Sequence, residues 1–414
     1  MSQPPLNEQM DAIRHGTVEI IPEDELARKL EKAARAKRRL RVKQGFDPTR
    51  PDLHIGHAVS MRKLRAFQEL GHEVIFVVGD YTARIGDPSG QSETRPRLSP
   101  EQIEKNARTY EEQVGHILDL ERVRIEFNSR WLAPLDLADL LELTATFTVA
   151  RMLERDDFAK RHAEGKPISV LEFMYPLMQA YDSVALDADI ELGGTDQKFN
   201  LLVGRTVQAR YGQEPQVCVI MPLMRGTDGV QKMSKSYDNY IGLAESPEEQ
   251  FGKTMSIPDD LLDEWIRLAT RLPQDAIQAL LGRAATDPYA AKRMLAKTIV
   301  AEYHGDAEAE RAEQHFDRVF RERAPPDDIP EIEASLADPT LRFRDADGVS
   351  VIGLLVCTAL ASSNSEAARL IEQGGVRIDR DTVTDRTAYH PARPGDTTLL
   401  QRGRRRFIRV RFVP

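Results

Sequence analysis

The sequence predicts an α/β fold built on a doubly wound parallel sheet, followed by an all-helical domain and a small α+β domain. Short apolar runs typical of buried strands alternate with helical stretches up to about Tyr240. Beyond this point, residues 259–280 and 289–319 are rich in Ala, Leu, Arg and Glu at helical spacing, without a strand-like run between them. The last segment is rich in arginine and places a strand-like run after a capped helix.

The first domain opens with a helix predicted at residues 23–38. Residues 40–46 alternate apolar and polar side chains and break at Asp47-Pro48, which predicts a strand that ends in a turn. A helix follows at 56–70. Further strands are predicted at the apolar runs 74–78, 123–127 and 217–220, with helical stretches between them. This order favours a doubly wound parallel sheet.

Two helical stretches, 259–280 and 289–319, predict the second domain. Residues 324–330 contain three prolines, which cannot continue a helix and therefore indicate a linker. The predicted divisions are a first domain at 1–240, a helical domain at 241–324, a linker at 325–340 and a final domain at 341–414.

The length of 414 residues favours two or three domains rather than one. The chain has no apolar run of about eighteen residues, and its first residues lack the basic and apolar parts of a secretory signal. We therefore expect a cytoplasmic protein without a membrane segment. Cys218 and Cys357 are too few for a metal cluster or a disulfide framework, so we expect plain buried thiols.

The charge is unevenly distributed along the chain. Residues 341–414 hold thirteen arginines and eight acidic residues, a balance of +5, whereas the whole chain carries −9 and the remainder therefore −14. Such segregation indicates either an appended module that meets a polyanion or a basic face exposed to solvent.

The first chemical motif follows the strand at 40–46. Thr49 and then His54-Ile55-Gly56-His57 lie where the next helix should begin, so both imidazoles and the free backbone N–H groups of the first turn can face an anion. Gly56 would let a flat ring lie against the backbone. A metal site is disfavoured because no glutamate accompanies the histidines as in H-E-x-x-H, and we predict no metal site.

The second motif is Lys232-Met233-Ser234-Lys235-Ser236, which follows the glycines at 226 and 229. Two ammonium groups on a mobile loop suit a triphosphate, although a charged surface loop is the alternative. Gly86-Asp87-Pro88-Ser89-Gly90 lacks the ending of a P-loop, and no G-x-G-x-x-G opens a helix. P-loop hydrolysis and dinucleotide binding are therefore disfavoured.

The two motifs together resemble the paired hallmarks of class I aminoacyl-tRNA synthetases. Three further segments resemble the tyrosyl-tRNA synthetase pattern of bacteria: Gly45-Phe46-Asp47-Pro48-Thr49, Tyr175-Pro176-Leu177-Met178-Gln179-Ala180-Tyr181-Asp182 and Gly193-Gly194-Thr195-Asp196-Gln197. The resemblance runs from about Glu23 to the C-terminus. It implies a Rossmann-like catalytic domain with a connective insertion at about 120–165, a helical anticodon-binding domain and a ribosomal-protein-like RNA-binding domain.

The resemblance assigns an amino-acid pocket to this chain. Asp87, Tyr175 and Gln179 would bind the ammonium group of tyrosine, and Asp182 would bind its phenol hydroxyl. Tyr175, Gln179 and Asp182 are spaced so that one helix would present them as a stripe. A phenylalanine ring would leave the Asp182 carboxylate desolvated and unpaired. Gly45, Asp47 and Gln197 complete the implied tyrosine contacts.

The same resemblance assigns the ATP contacts. Thr49, His54 and His57 would meet the phosphates with Lys232 and Lys235, Gly56 would lie beneath the adenine, and Gly194, Asp196 and Gln197 would face the ribose and the aminoacyl group. ATP is expected as a substrate with Mg²⁺, and no prosthetic group is implied.

Lys43 is a departure from the family members that carry tyrosine two residues before the glycine of the Gly45-Phe46-Asp47 segment. It could pair with Asp182 in the tyrosine pocket, or form an ion pair within the sheet. Both interpretations stay open from the sequence.

In the final domain, residues 363–371 read as a capped helix, and Gln373-Gly374-Gly375 leads into a strand. The segment resembles an RNA-binding module of ribosomal proteins. The implied RNA contacts are Arg369, Arg377, Arg402, Arg404, Arg405 and Arg406, which would bind phosphates without reading sequence.

The implied function is a tyrosine–tRNA ligase that forms tyrosyl-adenylate and pyrophosphate from L-tyrosine and ATP, and then transfers tyrosine to the 3′-terminal ribose of tRNA(Tyr). Rate is expected from aligned substrates and from the fixed charges of His54, His57, Lys232 and Lys235. The resemblance also implies a homodimer with the insertion at its interface. The alternatives are a tryptophan enzyme, an RNA-binding protein that keeps only the fold, and a nucleotidyltransferase for another small acid.

Overall fold

The computed structural model describes residues 3–89, 99–320, 329–344, 348–379, 381–403 and 406–414. The chain divides into two compact units, Met1–Gly305 and Asp306–Pro414. None of the described helices has both the length and the apolar composition needed to span a membrane.

A six-stranded sheet forms the centre of the first unit. Its strands are β1 (Glu19–Ile21), β2 (Arg41–Phe46), β3 (Glu73–Val78), β4 (Val123–Phe127), β5 (Ile190–Gly194) and β6 (Val217–Met221). Their order is β1-β6-β5-β2-β3-β4, and all pairs are parallel except β1 with β6. The predicted α/β class, the parallel sheet and the four predicted strands are confirmed.

Strands β1 and β5 were not predicted from the sequence. Strand β5 has the sequence Ile-Glu-Leu-Gly-Gly, in which a charged residue and two glycines interrupt the apolar run expected of a buried strand. Its Glu191 is nevertheless fully buried, because Lys43 on β2 lies beside it.

Helices cover both faces of this sheet and continue beyond it. They are α1 (Leu6–Arg14), α2 (Glu23–Arg35), α3 (Ile55–Glu69), α4 (Pro100–Ala107), α5 (Tyr110–Val114), α6 (Ser129–Leu132), α7 (Leu137–Ala145), α8 (Val149–Met152), α9 (Asp156–Ala163), α10 (Val170–Leu186), α11 (Lys198–Arg210), α12 (Pro247–Met255), α13 (Leu262–Leu268), α14 (Gln274–Thr286) and α15 (Pro288–His304). Trp265, Leu295 and Ile299 from the later helices share one hydrophobic core with Val42 and Phe76 of the sheet. The later helices of this unit therefore share part of the core of the sheet, and the boundary between the two units falls inside the range 241–324.

The connective insertion predicted at 120–165 needs a correction at its start. Strand β4 lies within that range and pairs with β3, so it belongs to the sheet. The segment outside the sheet begins after Phe127 and carries the short helices α6 to α9.

The chain order of the strands creates a crevice. From β2 the chain proceeds to β3 and β4 on one side of the sheet, whereas β5 and β6 lie on the other side. The carboxyl ends of β2 and β5 therefore border the point where the strand order reverses, which is where ligands bind in open α/β sheets.

The second unit has its own core. It contains α16 (Asp306–Phe320), β7 (Glu331–Ser335), β8 (Val349–Ser350), α17 (Val351–Cys357), α18 (Asn364–Glu372), β9 (Val376–Ile378), β10 (Asp381–Val383), β11 (Tyr389–His390), β12 (Thr397–Arg402) and β13 (Arg406–Val413). The order of its main sheet is β10-β9-β12-β13-β7. Leu354, Ile371, Val376, Leu400 and Phe412 meet in the core.

Two sequence predictions, a capped helix and a linker, can be compared with the structure of this unit. The capped helix is confirmed as α18, since the Ser363 hydroxyl accepts a hydrogen bond from the N–H of Glu366 at 3.2 Å. The predicted linker at 325–340 is wrong for residues 331–335, because they form β7 and pair with β13. The earlier part of that range, to residue 328, lies outside the described residues.

The cysteines are both free thiols. Cys218 is buried in β6, as predicted, whereas Cys357 is only partly buried and its Sγ lies 3.7 Å from Asp338 Oδ2.

Candidate active site

A cavity opens at the carboxyl ends of β2 and β5. Most of the residues predicted for the site line it: Gly45, Asp47, Thr49, His54, Gly56, His57, Asp87, Tyr175, Gln179, Asp182, Gly194, Asp196, Gln197 and Lys232. The structure thus brings together segments that are far apart in the sequence. Lys43 and Lys235 are buried beside the cavity rather than on its wall, with 1% and 8% of their surface exposed.

Helix α10 presents Tyr175, Gln179 and Asp182 to the cavity as one stripe. The helix is well defined at both ends: Ser169 caps its first turn, and Asp187 adopts a left-handed conformation after its last. The predicted stripe is therefore a cavity wall and not a solvated helix face.

The Asp182 carboxylate accepts hydrogen bonds from two side chains that were not predicted from the sequence. Its Oδ1 accepts a hydrogen bond from Trp131 Nε1 at 2.8 Å, and its Oδ2 accepts one from Asn128 Nδ2 at 3.3 Å. Burial raises the pKa of Asp182 to about 6, although the nearby charge of Lys43 and the two donors act in the opposite direction. Asn128 directly follows β4, so its position at a strand end was the available sequence clue.

Asp47 connects β2 to α10. Its Oδ2 accepts a hydrogen bond from the Tyr175 hydroxyl at 2.9 Å, and its Oδ1 accepts one from the Thr82 hydroxyl at 2.7 Å. A side chain at Gly79 would clash, because a Cβ there would lie 2.0 Å from Asp47 Oδ1. Burial raises the pKa of Asp47 to about 7, and the like charge of Asp87 adds to this effect.

The pKa of Asp87 is shifted in the opposite direction to that of Asp47. Its carboxylate accepts hydrogen bonds from the backbone and hydroxyl of Ser89 at 2.9 and 2.7 Å and from Gln197 Nε2 at 2.7 Å, and lies 3.4 Å from the Arg155 guanidinium. Burial alone would raise the pKa of Asp87, but Arg155 and these donors hold it below its usual range. An ionised carboxylate suits an ammonium ligand. Ser89 and Arg155 carried no recognisable motif in the sequence.

The two histidines stand at the start of α3. Their rings stack with centroids 3.7 Å apart, and the backbone N–H of His54 donates to His57 Nδ1 at 3.2 Å. Burial lowers the pKa of His54 to about 3 and that of His57 well below its usual value, and the charges of Lys235 and Lys232 contribute. Burial therefore favours the neutral imidazole in both rings, which suits them to hydrogen bonding rather than to the fixed positive charge expected from the sequence.

The Lys232–Ser236 loop packs directly on this motif. The backbone N–H of Gly56 lies 3.3 Å from Met233 Sδ, and a Cβ at Gly56 would lie 3.0 Å from His54 Nδ1. Ser234 N–H donates to the buried side chain of Asn239 at 2.8 Å, and Asn239 in turn donates to Asp228 at 2.9 Å. The loop is thus anchored on both sides.

The two lysines of the loop have different environments. Lys232 Nζ forms an ion pair with Asp196 at 2.6 Å at the cavity wall. Lys235 Nζ lies 5.6 Å from the centroid of the Tyr110 ring and 3.3 Å from the carbonyl oxygen of Arg50. Burial lowers the pKa of Lys235 to about 8.

Lys43 forms an ion pair within the sheet. Its Nζ lies 2.8 Å from Glu191 Oε1, and both side chains are 1% exposed. Of the two interpretations from the sequence, the structure supports this one, while the charge of Lys43 still lowers the pKa of Asp182.

The arginines predicted to bind RNA are only partly available. Arg369 and Arg406 are exposed and Arg377 is half-buried. Arg402 is engaged within its own unit, since its guanidinium lies 2.7 Å from Glu366 and also donates to the carbonyl of Leu360. Arg404 and Arg405 lie outside the described residues.

No group of three or more His, Cys, Asp or Glu side chains suited to a metal ion occurs in the described ranges.

Comparison with known proteins gives concordant similarities. Residues 35–321 match the family model described as tRNA synthetases class I (W and Y). The chain is 49% identical to the tyrosine–tRNA ligase of Carboxydothermus hydrogenoformans, over 98% of each chain. It is 51% identical to that of Moorella thermoacetica, over 97% of this chain and 95% of the relative.

Solved structures share the fold. The tyrosyl-tRNA synthetase of Archaeoglobus fulgidus, crystallised with L-tyrosine, matches with a TM-score of 0.61 and 24% identity, over 75% of this chain and all of that one. A C-terminally truncated mitochondrial tyrosyl-tRNA synthetase of Aspergillus nidulans matches with a TM-score of 0.62 and 24% identity, over 76% of this chain and 94% of that one.

Proposed function

This chain belongs to the class I tRNA synthetase family of the tryptophan and tyrosine enzymes, and we propose that it joins L-tyrosine to tRNA(Tyr). The observation that carries the proposal is the buried carboxylate of Asp182, which Trp131 and Asn128 orient in the cavity that also holds the two motifs. A phenol hydroxyl can donate to this carboxylate, whereas the phenyl ring of phenylalanine leaves it without that bond.

We assign the ammonium group of tyrosine to Asp87, Tyr175 and Gln179. Asp87 supplies an ionised carboxylate, and Tyr175 is oriented by its hydrogen bond to Asp47. Gln197 is oriented by Asp87 and supports the same end of the substrate, near Gly45 and Asp47. Lys43 is not a direct contact in this assignment.

The first step transfers an adenylyl group. The tyrosine carboxylate attacks the α-phosphorus of ATP, the bond to the bridging oxygen breaks, and pyrophosphate leaves. Neutral His54 and His57 donate hydrogen bonds to phosphate oxygens, with Thr49 beside them. Lys232 and Lys235 offset the charge that grows on pyrophosphate.

The nucleotide end of ATP is assigned to the opposite side of the motif. Gly56 lies beneath the adenine ring, where a side chain would be too bulky, and Gly194 and Asp196 face the ribose. We infer that Mg²⁺ arrives with the ATP phosphates as part of the substrate. No prosthetic group is included in the proposal.

The second step transfers tyrosine from the adenylate to a hydroxyl of the 3′-terminal ribose of tRNA, and AMP leaves. We assign no general base, since the alignment of the two substrates supplies rate enhancement by itself.

We further propose how the regions divide this work. Residues 1–240 activate the amino acid, helices of 241–324 bind the anticodon, and the unit around β9, β12 and β13 binds tRNA phosphates. Arg369, Arg377 and Arg406 are the supporting cations, because they extend from this unit without an ion-pair partner among the described residues. A cytoplasmic location is proposed from the tRNA substrate.

A homodimer is proposed through the segment after β4. Several apolar side chains there are exposed: Leu137 is 73% exposed, Leu141 62%, Val149 61% and Val170 78%. Several exposed large apolar residues within one segment favour an interface. Sedimentation equilibrium of the chain and of a Leu137→Glu, Leu141→Glu variant tests it; a monomer in both would refute the proposal.

The decisive test of the function is ATP–pyrophosphate exchange with each standard amino acid in turn. Exchange with tyrosine alone is expected. Exchange with tryptophan would favour the other enzyme of the family, and exchange with none would leave the RNA-binding alternative.

A further inference from the structure

A buried ion pair lies directly behind the wall that carries Gln179. Lys43 on β2 and Glu191 on β5 are register partners of neighbouring parallel strands, with Nζ and Oε1 2.8 Å apart. Both side chains are 1% exposed. Placing two charges inside a sheet is costly, so the pair calls for a reason beyond stability.

Glu191 is the acceptor for several neighbouring side chains. Its Oε1 accepts a hydrogen bond from Gln179 Nε2 at 3.0 Å, and its Oε2 accepts from Ser183 Oγ at 3.3 Å and from Gln216 Nε2. A carboxylate can only accept, so it selects the NH₂ end of the Gln179 amide.

The amide oxygen of Gln179 is not used by these neighbours. Gln179 lines the cavity, and its Oε1 is buried without a hydrogen-bond partner among the described residues. A buried carbonyl oxygen in this state is costly unless a ligand supplies a donor. An ammonium group is a donor only, and therefore matches the oxygen and not the NH₂ end.

Lys43 supplies the counter-charge of this acceptor. Its ammonium group lies 2.8 Å from Oε1 of Glu191, the same oxygen that accepts the hydrogen bond from Gln179. The Lys43 ammonium also lies 3.4 Å from the backbone carbonyl of Gln179, so it contacts the same turn of α10.

We propose that Lys43 and Glu191 are positioning residues that fix the Gln179 amide with its oxygen toward the ammonium group of the amino-acid substrate. The inference rests on the proposed function and deepens it, since it assigns the recognition of one substrate group to a pair that does not touch the substrate.

The test compares two ligands that differ only in the ammonium group: L-tyrosine and 3-(4-hydroxyphenyl)propanoate. Their Kd values are measured by calorimetry on the full chain and on a Lys43→Met, Glu191→Gln double variant, which removes both charges together. Tyrosine binding should weaken about tenfold, whereas the analogue should change less than about twofold. Equal losses for both ligands would overturn the proposal.

A matched control uses the same two strands. Arg38 and Asp189 form an ion pair at the amino ends of β2 and β5, with Nη1 and Oδ2 2.6 Å apart, far from the cavity end. An Arg38→Met, Asp189→Asn variant should leave the ratio of the two Kd values unchanged. A change of the ratio in this control would also count against the proposal.

The dependence on Gln179 separates positioning from a structural role. In a Gln179→Ala background the Lys43→Met, Glu191→Gln change should no longer alter the ratio, and a persisting effect would refute the inference. If the double variant does not fold, Glu191→Gln alone, which keeps an acceptor for Lys43, should show the same selective loss. If the unsubstituted chain shows no tyrosine-dependent pyrophosphate exchange, the proposed function is refuted instead.

Discussion

Tyr175 donates its phenolic hydrogen to Asp47 across 2.9 Å and so joins the middle of α10 to the end of β2. The bond connects the helix that carries three of the proposed substrate contacts to the strand that leads into the histidine motif. Asp47 is buried close to Asp87, and the two carboxyl groups differ in the direction of their pKa shifts. The raised pKa of Asp47 can be tested through the pH dependence of stability.

The stability contribution of Asp47 should depend on pH. Its folded pKa is raised to about 7 by burial, so the folded state holds its proton more tightly than the unfolded state. The contribution is full below the ordinary pKa of an aspartate and is lost as pH rises through 7. Between pH 5 and 8 the chain should therefore lose on the order of 2 kcal/mol of unfolding free energy relative to Asp47→Asn.

Urea unfolding of both chains across this range measures the difference. Asp228→Asn is the control: burial would raise the pKa of Asp228, but hydrogen bonds from Val230 N–H and Asn239 hold it below its usual value. Its contribution should not change between pH 5 and 8. A parallel pH profile for the chain and Asp47→Asn would contradict the prediction.

Asp182→Asn should fold but discriminate poorly between tyrosine and phenylalanine. The neutral amide is a weaker acceptor for the phenol, and Trp131 and Asn128 lose their ionised partner. Discrimination should fall by about 1–3 kcal/mol, which corresponds to a factor of roughly 5 to 150. Activation rates for both amino acids measure it, with Asp187→Asn at the end of the same helix as control. Unchanged selectivity would remove Asp182 from the role of reading the hydroxyl.

Lys232→Ala and Lys235→Ala should slow activation much more than they weaken tyrosine binding. Their target charge develops on the departing pyrophosphate, so removal of each ammonium group should raise the activation barrier by about 2–4 kcal/mol. Stopped-flow activation and a separate tyrosine titration distinguish the two effects. Lys253→Ala, whose partners are Glu245 and the Tyr240 ring, is the control and should keep its rate. Weakened tyrosine binding with an unchanged rate would make the loop a substrate clamp.

A chain that ends at residue 324, ahead of β7, should still form tyrosyl-adenylate but charge tRNA poorly. The active-site cavity is built wholly from residues of the first unit, whereas the arginines predicted to bind phosphates are removed. The slope of log K against log salt for tRNA binding should fall by about one for each phosphate that is no longer neutralised. Pyrophosphate exchange measures adenylate formation, filter binding over a salt series measures the slope for tRNA binding, and aminoacylation of tRNA measures charging. Equal charging by the two chains would mean that the arginine excess is only a solvated face.

Strands that read as apolar runs were predictable, because a strand buried on both faces needs such a run. β5 was not, because its Glu191 is tolerated only through Lys43, which lies almost 150 positions earlier in the chain. The neutrality of His54 and His57 was equally hidden, since it depends on burial, a property of the folded chain. Trp131 and Arg155 reach the site as single residues and belong to no motif.

The resemblance named most cavity residues, because those motifs occur as local segments. It could not place Lys43, whose partner is set by strand register, nor reveal that Arg402 is held by Glu366. The proline segment indicated the end of a domain but not that β7 begins directly after it.

Helix α10 also fixes the distance between two residues of its stripe, Tyr175 and Asp182. Tyr175 and Asp182 are seven residues apart on one continuous helix, which separates them by about 10.5 Å along its axis. The two proposed contacts at the ends of the substrate therefore lie at a fixed distance from each other. We expect a tyrosine homologue with one additional methylene between ring and α-carbon to reach one of these contacts, but not both.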